Sequence, residues 1–123
     1  MKDVEVIRLA DDVAVVSLHG DHDCATREQL AVLLSEEVAA NALVVVDVTD
    51  ADFVDSSFLL NLEIADGMAS ARGSRFVLQM GTAHIVRIVK ISGLRGTLDC
   101  AESREEALAR HPGAAYSPAG LAA

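Results

Sequence analysis

The chain has 123 residues and a mass of 13.0 kDa, enough for one domain with its own hydrophobic core. Hydrophobic residues make up 51% and charged residues 24%, a balance that is typical of globular proteins and excludes a disordered chain. The 10 basic and 19 acidic residues give a net charge of −9, which disfavours nucleic acid as a partner.

A membrane or secretory role is equally disfavoured by the sequence. No apolar run reaches the roughly 18 residues that a membrane helix needs, and the first twelve residues lack a signal core. Cys24 and Cys100 form no CxxC pair and are too few for a disulfide framework, although a regulatory disulfide between them stays open. These features predict a protein of the reducing cytoplasm.

Hydrophobic periodicity predicts five strands and four helices. Alternating residues indicate a hairpin of two strands, Val4–Leu9 and Val13–Leu18, and a β-branched run predicts a buried strand at Leu43–Val48. The two remaining strands are short, Arg75–Met80 and Thr97–Cys100. Helical spacing predicts helices over Thr26–Ala40, Ser57–Arg72, Thr82–Ser92 and Ser103–His111, the second ending at Gly73.

The element order predicts a single α/β domain over residues 1–111, followed by a flexible tail over residues 112–123. Its sheet is mostly parallel with four to five strands, begins with the N-terminal hairpin, and is covered by about four helices. In such a fold the segments that follow the strands meet at one edge of the sheet. We therefore expect Gly20–Cys24, Thr49–Ser57 and Met80–Thr82 to cluster there.

This edge carries a concentrated negative charge. Residues 1–66 hold 15 acidic and 3 basic residues, whereas residues 67–98 hold 5 basic residues and no acidic one. The clustered segments contribute five aspartates: Asp21, Asp23, Asp50, Asp52 and Asp55. Such acids can simply be solvated, but together they also fit a surface that attracts a basic protein.

Leu59 is the expected apolar anchor of that surface. At about 100° per residue it aligns with the polar residues of the second helix: Glu63, Asp66 and Ser70. The opposite arc should face the sheet, with Phe58, Leu60, Leu62, Ile64, Ala65, Met68 and Ala69. An exposed leucine among charged residues is typical of a protein-binding patch.

Asp55-Ser56-Ser57 stands at the start of the second helix, where a serine is first expected to cap the helix. A phosphate is also well tolerated there, because the positive end of the helix dipole stabilises added negative charge. Two further charges among five aspartates would nevertheless alter the acidic surface for a partner. These are the properties of a phosphorylation switch.

The segment DVTDADFVDSS, followed by a helix, resembles the phosphorylation-site signature of STAS domains, the bacterial anti-sigma factor antagonists. The turn Gly20-Asp21-His22-Asp23 is similar to the Gly-Glu-Leu-Asp turn of that family, and the likeness extends from residue 4 to about residue 110. It implies a serine-kinase anti-sigma factor, carrying ATP or ADP, as the partner. It places the phosphosite on Ser56, or otherwise Ser57. Together with the charge and periodicity arguments above, this gives seven expected partner-binding residues: Asp21, His22, Asp23, Asp52, Asp55, Ser57 and Leu59.

One position departs from the pattern, because Phe58 stands where the family usually has glycine after the serine pair. A bulky residue there suggests either a side chain turned into the core or a site that is poorly phosphorylated. The second possibility leaves a STAS scaffold or a transport-complex subunit that binds without phosphorylation.

Other chemistries have weaker support. His22 near Ser56 would allow a small Ser-dependent hydrolase, but no GxSxG elbow is present. The run His19 to Asp23 lacks a recognised metal spacing, so neither a metal nor another cofactor is expected. His84, Arg87 and Lys90 form a basic stripe that is either a solvated face or a second contact surface, for example in a homodimer.

Overall fold

The computed structural model describes residues 3–22, 26–80, 83–92 and 98–113, which form the single α/β domain predicted from the sequence. Its elements are β1 (Val4–Ala10), β2 (Val13–His22), α1 (Arg27–Ala40), β3 (Leu43–Val54), α2 (Ser56–Arg72), β4 (Arg75–Gln79), α3 (Ala83–Ser92), β5 (Asp99–Ala101) and α4 (Arg104–Leu108). Within these ranges no helix is both long enough and apolar enough to cross a membrane.

The five strands form one sheet in the order β1-β2-β3-β4-β5. The hairpin strands β1 and β2 are antiparallel, and every later pair is parallel, as predicted. The central strand β3 is buried on both faces along Leu43–Val48, which explains its unbroken β-branched sequence. Because β2, β3 and β4 are parallel, their carboxyl ends share one edge.

At that edge β2 and β3 continue as strands beyond the expected loops. His19 pairs with Asp50, Asp21 with Phe53, and His22 with Val54, after two shifts in register at which β3 has one extra residue. Gly20 adopts a φ of +70°, which glycine accommodates without strain at such an irregularity. The Gly- and Asp-rich sequence suggested turns, but the two segments pair with each other as strands. Residues 20–22 and 49–54 of the first two predicted loops are therefore adjacent strand ends.

The two faces of the sheet support hydrophobic clusters of unequal size. The larger cluster contains residues of α1, α2 and α3, among them Leu34, Leu62 and Ile85. The smaller one lies on the other face, where Ala107 of α4 packs with Val15, Val45 and Val77. Phe58 and Leu59 also belong to the larger cluster, so the start of α2 is packed against the core.

Two helix ends are set by single local residues, Gly73 at the end of α2 and Ser103 at the start of α4. Gly73, with a φ of +74°, ends α2, and its N–H donates to the Ser70 carbonyl, as its sequence position predicted. Ser103 caps α4 by accepting a 3.1 Å hydrogen bond from the Glu106 N–H. Both helix ends lie where the sequence predicted them.

Candidate functional site

Ser56 is the first residue of α2 and its side chain is exposed. The helix is capped not by a serine but by Asp55, whose Oδ1 accepts a 3.1 Å hydrogen bond from the Phe58 N–H. The expectation that a serine hydroxyl would cap α2 was therefore wrong. Because Asp55 holds the helix end, the Ser56 hydroxyl is available for chemistry without loss of the cap.

This division of roles can be tested by stability. We expect Asp55→Ala to lower the free energy of unfolding by about 1 kcal/mol, since the first turn loses its side-chain acceptor. Ser56→Ala should change it by no more than about 0.5 kcal/mol. Urea unfolding followed by circular dichroism measures both, with Ser57→Ala as a matched control. Equal losses in Asp55→Ala and Ser56→Ala would contradict the assignment of the cap.

The acidic edge consists of Asp21, Asp50 and Asp52, which are exposed, and half-buried Asp55. Pairing of β2 with β3 places Asp21 opposite Phe53, three residues before Ser56. Asp50 lies near His19, with 3.6 Å between Oδ2 and Nδ1. The expected contribution of Asp23 lies outside the described residues, as do residues 81 and 82 of the third predicted loop. The structure thus brings the described aspartates of two separate segments to one edge.

Asp3 joins this edge although sequence reasoning did not assign it a role. Its carbonyl accepts a 2.9 Å hydrogen bond from the His19 N–H. Its carboxylate lies beside Gly20, 3.9 Å from where a Cβ on that glycine would stand. No signal in the sequence marked Asp3, because its position depends on the pairing of β1 with β2.

The apolar anchor of the edge is Phe53, which is 48% exposed. It lies on β3 between the exposed Asp52 and the buried Val54, and it pairs with Asp21 on the neighbouring strand β2. The sequence contained a signal for it, a phenylalanine within an acidic segment, but that segment was interpreted as a loop. An exposed aromatic side chain beside acidic residues is typical of a protein contact surface.

Leu59, the anchor expected from the sequence, is only 9% exposed and belongs to the larger core cluster. The prediction that it is exposed was wrong, and so was the placement of Leu60 and Ile64 toward the sheet, since these are 49% and 54% exposed. The solvent-facing side of α2 had been inferred from the positions of its polar residues, and this inference placed Leu59 on the wrong side. The end of β3, counted as loop, instead adds Val54 to the same core cluster as Leu59.

His22 is buried rather than available to a partner, which corrects its expected role as a contact residue. Its Nε2 is 3.1 Å from the His19 carbonyl, and its ring centroid is 6.1 Å from that of Phe58. Its buried Nδ1 has no hydrogen-bond partner among the described residues. His22 therefore supports the start of α2 from inside.

Phe58 is also buried, at 2% exposure. Phe58 stands where the family usually has glycine, and its side chain is turned into the core, which is one of the two explanations considered for this difference. Its bulk lies in the larger hydrophobic cluster and leaves the outer side of the first turn to Ser56. The Phe58 side chain thus does not cover the exposed serine.

Within the described residues, His22 does not act as a base for Ser56, which weakens the hydrolase hypothesis. Neither ring nitrogen of His22 makes a hydrogen bond to that serine. Burial raises the pKa of the Asp66 carboxyl, an effect strengthened by Asp99 and opposed by Arg75. Asp66 is ten residues farther along α2, about 15 Å at the helical rise. This perturbed group therefore does not mark Ser56 as catalytic.

Other candidate features lie apart from this edge. Arg87 and Lys90 of the predicted basic stripe are exposed on α3, while the side chain of His84 lies outside the described part. Cys100 is half-buried on β5, and Cys24 falls in an undescribed range, so their pairing is untested. In the described ranges no group of three or more potential ligands could hold a metal.

A crevice of about 260 Å³ opens at the opposite edge of the sheet. It is lined by the end of α1 and the end of α2, where Arg72 donates a 2.7 Å hydrogen bond to the Ala39 carbonyl. Since these residues precede β3 and β4, the crevice is separated from Ser56 by the length of the sheet. It is not part of the candidate site.

Comparison with known proteins gives a family match and several structural matches. The family model described as "Mlab, STAS domain" matches residues 6–100. The anti-sigma factor antagonist SpoIIAA in its unphosphorylated form is 21% identical, with a TM-score of 0.74 over 87% of this chain and 94% of that chain. The phosphorylated SpoIIAA of Bacillus is also 21% identical, with a TM-score of 0.68 over 87% and 97%.

A third solved structure is similar to the same extent. An anti-sigma factor antagonist from Mycobacterium paratuberculosis is 22% identical, with a TM-score of 0.73 over 89% of this chain and 93% of that chain. No curated protein matches the chain. At these identities the structural matches establish a shared fold.

Proposed function

This chain belongs to the STAS domain family, whose model matches residues 6–100, and from that premise we propose that it is an anti-sigma factor antagonist. In this role it binds a serine-kinase anti-sigma factor, loaded with ATP or ADP, and thereby releases a sigma factor. Phosphorylation of Ser56 ends the complex. The observation that carries the proposal is an exposed serine at the start of α2, beside the acidic edge.

The position of Ser56 suits a reversible phosphate. The first N–H groups of a helix lack intrahelical acceptors, so a phosphate there gains hydrogen bonds and a favourable dipole. Because Asp55 already caps α2, the modification does not cost the helix its cap. The folded domain should therefore tolerate the phosphate.

The same phosphate would act on binding through charge. It adds about −1.5 to −2 charges beside Asp52 and Asp55, on the surface that attracts a basic partner. A partner whose own anionic groups lie close to Ser56, such as a bound nucleotide, is then repelled. The matches to SpoIIAA in both an unphosphorylated and a phosphorylated form support a fold compatible with either state.

Phosphorylation is tested with a serine-kinase anti-sigma factor encoded in the same genome, ATP and intact-mass measurement. We expect the wild type and Ser57→Ala to gain the mass of one phosphoryl group, and Ser56→Ala to gain none. The phosphorylated protein should lose the kinase complex on size exclusion, whereas Ser56→Ala should keep it. Phosphorylation of Ser56→Ala but not of Ser57→Ala would transfer the site to Ser57.

The same experiment separates the alternatives. Tight complex formation without any gain in mass would favour a scaffold or transport-complex subunit. Hydrolysis of a chromogenic ester that is lost in Ser56→Ala would favour a hydrolase. A self-associating species in the size-exclusion profile of the isolated protein would reveal a homodimer.

A further inference from the structure

Helices α1 and α2 present apolar side chains to solvent, on a surface that begins one turn beyond Ser56. On α2, Leu60 and Ile64 are exposed, and Gly67 follows them at helical spacing. Gly67 is exposed, and a Cβ built on it would meet no atom of the described residues within 4 Å. On α1, Val32 is 58% exposed. These residues are separate from the anchor Phe53 on the sheet edge.

Two hydrogen bonds fix how α1 and α2 lie against each other. Asn61 Nδ2 donates to the Arg27 carbonyl at 3.0 Å, and Arg72 donates to the Ala39 carbonyl near the far ends of both helices. The helices therefore run parallel, with position 27 level with 61 and position 39 level with 72. Counting along α1 from position 27, Val32 lies at the level of residue 66 on α2. This level is between those of Ile64 and Gly67. We refer to Val32, Leu60, Ile64 and Gly67 as the α1–α2 surface.

Acidic side chains surround this surface. Along α1 the exposed positions Glu28 and Glu36 stand one turn before and one turn after Val32. On α2 the exposed Glu63 lies beside Leu60 and Ile64. The basic residues of these two helices stand at their ends, Arg27 on α1 and Arg72 on α2, and the latter donates to a backbone carbonyl. The apolar surface therefore has a net negative border.

The spacing of the apolar positions indicates what shape of partner fits. Leu60, Ile64 and Gly67 repeat at intervals of four and three, the pattern by which one helix packs against another. Gly67 permits the close approach of a second helix. A second copy of this chain would set the same acidic borders against each other, which is unfavourable.

We propose that the α1–α2 surface binds an amphipathic helix of the partner protein, with lysines or arginines flanking its apolar face. The inference deepens the proposed function, on which it rests for placing that helix in the anti-sigma factor. It adds a second contact that begins one turn from Ser56 and extends away from the acidic edge. Helix binding itself requires neither kinase activity nor phosphate.

The test uses synthetic peptides and the complete chain. One helical peptide carries leucines at the helix-packing positions flanked by lysines, and its counterpart has glutamates in place of the lysines. We expect the lysine peptide to bind at least about tenfold more tightly, with NMR shift changes centred on α1 and α2. Leu60→Ser and Ile64→Ser should each weaken binding by about tenfold.

Ile91→Ser is the matched control, because Ile91 is also exposed but lies on α3. It should leave the affinity for the lysine peptide within about twofold of the wild type. Equal binding of both peptides, or shift changes confined to other elements, would overturn the proposal. So would a dimer of the wild type that Ile64→Ser dissociates, since a second copy would then occupy the surface. The peptide assay contains no kinase, so its failure leaves the phosphorylation result intact, and the converse also holds.

Discussion

Leu59→Glu is expected to destabilise the domain strongly, whereas Leu60→Glu, one residue later on the same helix, is expected to be nearly neutral. Leu59 is 9% exposed and lies in the larger core cluster, while Leu60 is 49% exposed. A carboxylate at position 59 would be buried without a partner, which should cost about 3 kcal/mol or more. At position 60 the change should stay within about 0.5 kcal/mol. Urea unfolding measures the difference.

The pair is informative because both substitutions introduce the same charge in the same helix. A helix-propensity effect would act on both alike, so only burial separates them. If Leu59→Glu melts at the temperature of the wild type, Leu59 is a surface residue and the face of α2 assigned here is wrong. If Leu60→Glu unfolds the domain, Leu60 is part of the core.

Phe53→Ser is expected to weaken the complex with the anti-sigma factor by about thirtyfold or more while leaving the domain folded. Phe53 is half-exposed at the acidic edge, and central aromatic side chains contribute about 2 kcal/mol or more in protein interfaces. Its removal deletes the apolar anchor and keeps the carboxylates. Isothermal titration against the ADP-loaded kinase measures the affinity, and the melting temperature reports the fold.

Asp52→Asn serves as a comparison for the charge beside this anchor. It should mainly slow association and reduce the salt dependence of binding, because rim charges steer encounter more than they hold a complex. Phe53→Ser should act on dissociation instead. If Phe53→Ser binds the anti-sigma factor as tightly as the wild type does, Phe53 is not part of the interface. The partner then binds elsewhere, on the α1–α2 surface or beyond it.

Local sequence patterns were sufficient for the element order and for the position of the serine. Alternation in Val4–Ala10, the β-branched run of β3 and the stop at Gly73 each act through neighbouring residues. The parallel connections then require successive strand ends to share an edge. For this reason the meeting of the Asp21 and Asp52 segments near Ser56 was predictable without coordinates.

What the sequence by itself determined is thus a STAS-like α/β domain with an acidic edge and a serine at the start of a helix. Only the tertiary structure decided which side chains face solvent there: Phe53 and Leu60 are exposed, while Leu59 and His22 are buried. The physical reason is that β2 and β3 pair beyond their apolar runs, through Gly20 and the aspartates. Burial at the start of α2 depends on these residues, which are distant in sequence, and helical periodicity therefore cannot predict it.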